Sequence, residues 1–353
     1  DLLTGLEPRN FPVNDYPKSF RLFNFHSRRP YISDPDYTFS IVSQNILNTL
    51  QSELFVSYNR NEEYKQAGFS VLYGGLFPVL KAGLTYTFDR RSAVRNRPQL
   101  AFWDEAEARF GFSIPLNLTN GRSFTDLSFG SDYVHNKRFF KGYFKDSFDN
   151  RAFGYLSNTL SFTNQVQQAR MHIYPRFAQS VLLNYRRAVT ELEGNQFLAS
   201  GSLYVPGLFQ THNLVLQAAF QRRDTLRNIS FSNSFPFSRG YAVANFHRMW
   251  KLGGNYHFPL LYPDWGFGNI VYFLRIRSNL FYDHTRIYEY TTSRVLVDLD
   301  FRSYGTEIFF DTKWWNQLPL SFGIRYSRLM DDDIEARGPN QWELILPINL
   351  LSR

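Results

Sequence analysis

The run Ala106-Glu107-Ala108-Arg109-Phe110-Gly111-Phe112-Ser113-Ile114-Pro115-Leu116 decides the fold. In an extended chain, successive side chains point to opposite faces. Ala106, Ala108, Phe110, Phe112, Ile114 and Leu116 therefore share one face, and Glu107, Arg109, Gly111, Ser113 and Pro115 share the other. One face is wholly apolar and the other carries charge. Strands of a soluble sandwich alternate too, but seldom over ten or more residues with charges opposite.

The pattern recurs outward from this run. Leu80, Ala82, Leu84, Tyr86 and Phe88 oppose Lys81, Gly83, Thr85 and Thr87. Leu214, Leu216, Ala218 and Phe220 oppose Gln217, Ala219 and Gln221. Leu318, Leu320, Phe322, Ile324 and Tyr326 oppose Ser321, Gly323, Arg325 and Ser327. A tilted strand crosses a bilayer in about 9–11 residues, and these runs suffice. No apolar run approaches the ~18 residues of a spanning helix, and the mean hydropathy is negative. Aromatic residues make up 18% of the 353, with 36 Phe, 22 Tyr and 6 Trp. That excess suits a lipid-facing wall with aromatic girdles at both rims. The pattern predicts an all-β chain, a transmembrane antiparallel β-barrel of the bacterial outer membrane.

The chain has 39 Lys plus Arg, 31 Asp plus Glu and a formal charge of +8. The charges are dispersed among strands with no basic helix or long cluster, which argues against a nucleic-acid partner. Cysteine is absent, so disulfides and thiolate metal sites are excluded. No secretory leader precedes Asp1, so the sequence is read as a mature chain or a fragment, and an upstream periplasmic domain is an expectation.

Strands are expected near 37–45, 49–60, 66–74, 79–90, 105–117, 122–136, 152–164 and 177–189. Others are expected near 196–205, 211–223, 246–260, 270–286, 294–312, 318–329 and 341–351. A weaker run from Ser19 to His26 brings the count to about sixteen, since single-chain bacterial barrels have even counts. Tight links at Gly75 to Pro78, Asn120-Gly121, Pro206 to Gln210, Tyr262 to Gly268 and Asn316-Gln317 alternate with long ones. The long links are Arg91 to Trp103, Asn136 to Arg151, Arg223 to Asn245 and Asp331 to Gln341. Short periplasmic turns and long outer loops follow the bacterial habit. Residues 1–17, with Pro8, Pro12 and Pro17, are expected to be a linker or an inward-lying segment. The barrel then spans 18–353, with a loop at about 224–245.

One constellation goes further. Phe237-Ser238-Arg239-Gly240-Tyr241 precedes a strand holding Asn255-Tyr256-His257-Phe258-Pro259-Leu260. The next strand carries Asn279-Leu280-Phe281-Tyr282-Asp283, and Ser303-Tyr304-Gly305 and Glu307 follow. This resembles the superfamily of outer-membrane assembly and two-partner-secretion barrels, also called the bacterial surface antigen family. Ile173-Tyr174-Pro175-Arg176 looks like its mid-barrel turn. The resemblance is strongest over 170–330 and faint before residue 100. It implies a sixteen-stranded barrel whose sixth outer loop, tipped by Arg239, Gly240 and Tyr241, folds back into the lumen against an acidic partner in the wall. It also implies a barrel that opens or thins between its first and last strands. Trp342, Leu344, Leu346, Ile348 and Leu350 on the last strand would form one side of that seam. The chain ends Asn349-Leu350-Leu351-Ser352-Arg353, departing from the family's usual aromatic terminus.

The residues permit their own reading of the tip. Gly240 allows a tight bend, and the guanidinium of Arg239 is a rigid fork suited to a partly buried carboxylate. Asp283 and Glu307 lie on lumen-facing phases and are the candidate partners, with Asp311 less favoured. The alternative is an exposed turn with a solvated arginine.

Other candidates carry less. None of His26, His135, His172, His212, His247, His257 and His284 forms a metal-spaced pair. His257 and Ser278 sit on neighbouring expected strands without a sign of activation. Asp331-Asp332-Asp333 and Glu335 lack the spacing of an EF-hand loop. Arg275 and Arg277 are expected to pair with Asp298 and Asp300 on the next strand, because buried like charges need partners. No catalytic residue, cofactor or metal is expected. The leading expectation is a non-enzymatic barrel assisting protein or lipid insertion or translocation, with outer-membrane lipids, client proteins and periplasmic or outer-membrane accessory subunits as partners. A passive porin or solute transporter, and a structural barrel anchoring a larger complex, are the alternatives.

Overall fold

The computed structural model describes residues 12, 23–33, 36–93, 99–147, 152–169, 171–190, 192–224, 231, 234–242, 246–290, 295–315 and 318–345. In chain order the first strands are β1 Phe25–Ser33, β2 Asp36–Gln44, β3 Leu50–Asn59, β4 Lys65–Tyr73, β5 Val79–Ala93, β6 Leu100–Asn117, β7 Ser123–Lys141, β8 Ala152–Val166 and β9 Ala178–Ala188. The rest are β10 Asn195–Pro206, β11 Asn213–Arg223, β12 Arg248–Leu261, β13 Trp265–Phe267, β14 Val271–Tyr290, β15 Leu296–Trp314, β16 Leu318–Leu329 and β17 Asn340–Ile345. Only one short 3₁₀ turn, Gly142–Phe144, interrupts this all-β pattern among the described residues.

Each long strand pairs antiparallel with its chain neighbour from β1 through β17, and β12 pairs directly with β14. The three-residue β13 pairs only with the start of β14 at the inner turn. Among the described residues the wall of the barrel therefore has sixteen staves. An even number of staves places both ends of the wall on the side of the short turns.

Register brings the alternating faces into rows. Leu54 faces Phe69, Phe69 faces Leu84, and Leu84 faces Ala108 across four successive strands. These apolar side chains stand on the outside: Leu84 and Phe110 are more than 60% exposed. In water such a surface would be an aggregation liability; in hydrocarbon it is the matched solvent. The opposite phases carry Glu53, Lys81, Glu107, Arg109 and Asp132, with Lys81 set against Asp132 and Arg109 against Glu107 inside the wall.

Several boundaries depart from the sequence reading, among them those of β1, β5, β6, β7 and β14. The first strand is Phe25–Ser33, later than the expected Ser19 to His26. An edge stave answers to few neighbours, so Pro30 is tolerated and alternation is weak, and pairing with β2 defines it instead. Residues 19–22 lie outside the described residues, as do 1–11 and 13–17 of the expected linker. β5 and β6 also extend into the expected long link 91–103, re-registering past a bulge between Thr87 and Arg90. Above the bilayer both strand faces are wet, so the apolar alternation that reveals a spanning strand is lost there.

Leu280 lies mid-strand on the lipid face of β14 and is half exposed. Leu280→Arg is expected to cost about 2–4 kcal/mol, against about 0–1 kcal/mol for a charge near an interface. Denaturant unfolding of the barrel in micelles or vesicles measures it, and an unchanged midpoint would contradict the assigned faces.

Candidate functional site

The connection between β11 and β12 turns back into the barrel. Its buried Phe235, Phe237 and Tyr241 join Leu198, Ala219, Met249, Ile287, Phe301 and Leu329 in one apolar cluster. Those partners lie on the inward phases of β10, β11, β12, β14, β15 and β16. Phe301 is the hub, with ring centres 5.2 Å from both Phe237 and Tyr241. Phe231 reaches further, to Tyr155 on β8 at 5.2 Å.

At the apex, Arg239 is seated on the wall. Its Nε donates to Asp283 Oδ2 at 2.7 Å, its Nη2 to Asp283 Oδ1 at 3.1 Å, and its backbone N–H to Oδ2 at 3.1 Å. Nη2 also donates to Asn255 Oδ1 at 2.6 Å. Nη1 lies 3.3 Å from Glu307 Oε1. The guanidinium carbon sits 3.7 Å from the centre of the Phe281 ring, a cation–π contact in a desolvated setting. The two acidic candidates, Asp283 and Glu307, thus both touch Arg239. Asp311 holds Arg275 and Arg277 instead.

Neighbouring positions make room for this seat. Gly240 has φ +86°, and a Cβ there would lie 2.8 Å from Leu329 Cδ2 and 2.9 Å from Ser327 Cβ. Both backbone and space require glycine at the apex. Gly253 faces Asp283 across the β12–β14 ladder, and a Cβ there would crowd the carboxylate at 2.7 Å. On either side of the apex, Ser238 Oγ donates to the Phe301 carbonyl at 2.8 Å, and the Tyr241 hydroxyl donates to the Arg302 carbonyl at 2.8 Å.

The sequence reading missed much of the surrounding charge. Lys251 is buried, with Nζ 3.3 Å from Asp283 Oδ1 and donating to the Phe237 carbonyl at 3.1 Å. Arg325 donates through Nε to Glu307 Oε1 at 2.6 Å and through Nη1 to Glu343 Oε2 at 2.8 Å. Asn279 Nδ2 donates to Glu307 Oε2 at 2.6 Å and to Asn255 Oδ1 at 3.1 Å. Three cations, Arg239, Lys251 and Arg325, meet three carboxylates, Asp283, Glu307 and Glu343. The available signal was that Lys251 and Asn255 share the lumen phase of the strand facing Asp283.

This network reaches the last strand. Glu343 on β17 points inward, while Trp342 and Leu344 point outward, opposite Tyr326 and Ile324. Trp342 packs on Tyr326 with ring centres 4.9 Å apart. Leu346, Ile348 and Leu350 lie outside the described residues.

The inner mouth carries a second inward element. Between β8 and β9, Tyr174 packs edge-on against His257, ring centres 4.9 Å apart, and its backbone N–H donates to Asn213 Oδ1 at 3.4 Å. Arg275 Nη1 donates to the Met171 carbonyl at 3.2 Å. Arg275 and Arg277 do not pair with Asp298 and Asp300 as expected. Register sets Arg275 directly opposite Asp311, whereas Asp298 and Asp300 sit at the outer end of β15 and hold Arg286. His257 and Ser278 project to opposite faces of the wall. The acidic outer run is also ion-paired, Asp331 to Arg302 and Asp333 to Arg337, each at 2.7 Å. Among the described residues no group of three His or acidic side chains is placed to hold a metal.

No family model matches the sequence, and no curated protein sequence matches it. The structure is similar to BamA from Haemophilus ducreyi lacking POTRA domains 1-3, with TM-score 0.56 at 12% identity over 89% of this chain and 67% of that one. It is also similar to CdiB from Escherichia coli, with TM-score 0.55 at 11% identity over 90% of this chain and 62% of that one. CdiB from Acinetobacter baumannii gives TM-score 0.51 at 8% identity over 90% of this chain and 58% of that one. The chain thus spans about six-tenths to two-thirds of these proteins. The likeness establishes the fold alone: a β-barrel like those of BamA and CdiB.

Two outcomes follow from the geometry. Arg239→Ala leaves Lys251 on Asp283 and Arg325 on Glu307, whereas Asp283→Ala takes the paired carboxylate from Lys251 and the bidentate partner from Arg239, which keeps only Glu307. Removing one partner of a buried pair costs about 3–5 kcal/mol, so Asp283→Ala is expected to destabilise the barrel more than Arg239→Ala. Unfolding midpoints of both variants in the same detergent decide the order. At the outer surface, burial would lift the Asp331 and Asp333 carboxyls, but hydrogen bonds from Arg302 and Arg337 outweigh it and hold both below their ordinary value. A depressed folded value means stabilisation that is complete above the unfolded value of about 3.9 and lost as pH falls through the folded values. Protection of residues 234–242 and 331–339 against hydrogen exchange, relative to the intrinsic rate at each pH, should therefore hold from pH 7 to about 4 and fall below; a fall already at pH 6 would remove these pairs as the cause.

Proposed function

We propose that this barrel assists the insertion or translocation of proteins, or of lipids, at the outer membrane, without covalent chemistry of its own. The observation that carries the reading is the inward-folded loop whose Arg239 is clamped by Asp283 and Glu307 in the wall. A loop serving only as a surface feature would gain little from desolvating a guanidinium. A loop that must hold one position inside a lumen gains a fixed register from a bidentate pair. The motif order around Arg239, Pro259 and Asp283 supports the same reading. So does the barrel's likeness to BamA and CdiB, which belong to outer-membrane insertion and secretion systems and support an outer-membrane location.

In this reading the work is mechanical. The loop braces the wall from β10 to β16 and reaches β17 through Glu307, Arg325 and Glu343. The seam between first and last strands, with Trp342 and Leu344 on its outer side, is where a client would meet the barrel. Client delivery would come from a periplasmic module or accessory subunit.

Replacing the chromosomal gene with an Arg239→Ala allele tests this. The expected result is a several-fold fall in one class of outer-membrane or secreted proteins while the variant itself stays membrane-inserted and heat-modifiable. Low, erratic conductance in planar bilayers is expected of the purified wild-type barrel. Wild-type client levels in the variant, together with a steady large conductance, would replace this reading with a passive porin.

A further inference from the structure

We propose that the outward face of β9 to β12, at its outer rim, binds a phosphate-bearing membrane lipid, with the phosphate between Arg222 and Arg248 and an acyl chain in the apolar groove beneath them. The inference stands apart from the transport reading and needs only the barrel and its orientation. Arg222 on β11 lies directly opposite Arg248 on β12 in the ladder. Both are exposed and both stand on the lipid-facing phase. Like charges directly opposite on adjacent strands are destabilising, and a charge at the membrane boundary gains most from a fixed counter-ion.

No carboxylate among the described residues pairs with either arginine. The nearby acids are engaged elsewhere. Asp224 accepts the Asn195 backbone N–H, Glu289 accepts the His247 backbone N–H, and Asp298 and Asp300 hold Arg286. Arg248 instead lies over aromatic rings, 5.6 Å from the centre of Phe220 and 5.3 Å from that of Tyr288. Two guanidinium forks side by side on facing residues suit a phosphate, which can accept a bidentate pair from each.

The surface around the pair is shaped to match. A recess of about 720 Å³ is lined by Phe197, Phe220, His247 and Tyr290, with Arg222, Arg223 and Asp224 as its charged members, and Arg248 stands across the ladder from Arg222. Directly below, towards the membrane centre, a groove of about 480 Å³ runs over Ala199, Gly201 and Ala218, with Leu183 on one side and Trp250 and Leu252 on the other. Register explains the groove: Phe220 faces Ala199 and Trp250, and the next row sets Ala218 between Gly201 and Leu252. Small residues at neighbouring positions leave a channel that larger ones border. Free phosphate would use the recess alone. The continuity of a cationic recess with an apolar groove, on the face that meets hydrocarbon, fits a lipid.

Native mass spectrometry and thermal unfolding of the delipidated barrel in non-ionic detergent test the proposal, with lipid A as the phosphorylated probe and phosphatidylcholine as the zwitterionic control. The wild type is expected to retain one lipid A at least tenfold more tightly than phosphatidylcholine. Arg222→Gln/Arg248→Gln should lose that preference, and Gly201→Leu, which fills the groove, should weaken lipid A binding about tenfold with both arginines intact. Without lipid the double variant should melt at or above the wild-type temperature, because the facing charges are gone; with lipid A the order should reverse. That crossover separates a binding role from a folding defect. Equal lipid A affinity in the wild type and the double variant, or equal affinity of the wild type for lipid A and phosphatidylcholine, overturns the proposal.

Discussion

Hydrocarbon offers no hydrogen bonds, so every backbone N–H and C=O that crosses it must be satisfied by another strand. This constraint leaves a ladder in which each stave pairs with its chain neighbours, as it does from β1 to β17. It also divides side chains into two solvents separated by one backbone's thickness. Leu252 and Asn255 lie on the same strand, yet one meets lipid and the other helps hold a guanidinium. Charged side chains in the spanning region are favoured only on the inward face, and any segment entering the lumen meets them. The loop between β11 and β12 enters on those terms: its apex must carry hydrogen-bonding groups that match what the wall presents.

Docking energy and docking position come from different parts of that loop. Burying a large apolar side chain contributes about 1.5–3 kcal/mol, so Phe235, Phe237 and Tyr241 together outweigh one ion pair. Much of the attraction in a buried pair offsets desolvation, and its net contribution is small or negative against an apolar substitute. The aromatic cluster around Phe301 therefore holds the loop in, while Arg239 fixes where it sits. An apolar cluster tolerates sliding; a fork bonded to Asp283 Oδ1, Asp283 Oδ2 and Asn255 Oδ1 does not. The balance of three cations and three carboxylates serves the same end, since any displacement of Arg239 leaves a carboxylate short of a partner.

The spanning strands were legible because lipid imposes period two on them, and the edges of β8, β9, β10 and β16 lie within two residues of the expected ranges. Legibility fails where that solvent contrast fades. β1 mixes Arg28, Arg29 and Pro30 on both faces and becomes a strand through its pairing with β2. The outer extensions of β5 and β6 stand in water on both sides. In the site, phase alone placed Asp283 and Glu307 towards Arg239. Lys251, Arg325 and Glu343 were not legible, because their roles depend on register, and a strand read singly does not reveal its register. The expected pairing of Arg275 and Arg277 with Asp298 and Asp300 failed for that reason: strand adjacency was right, but the register offset put Asp311 opposite Arg275.

The brace is one-sided, and that bears on how a barrel of this kind could move. The described part of the loop contacts β8, β10 to β12 and β14 to β16, and the inner turn at Tyr174 leans on β10, β11, β12 and β14. Through Arg325 the brace extends to Glu343, so β17 belongs to the stiffened half. β1 is held by its ladder with β2 and by the ion pair of Arg29 with Glu53, which is exposed on the arginine side. An exposed pair contributes about 0–1 kcal/mol; the part-exposed Glu343 of β17 instead ties through Arg325 into the buried group of Glu307, Asn279 and Arg239. Under the proposed function, strain at the seam would then be taken up by β1 and its neighbours, with β17 acting as the fixed jamb. The loop tip would set the gate's compliance without touching the client.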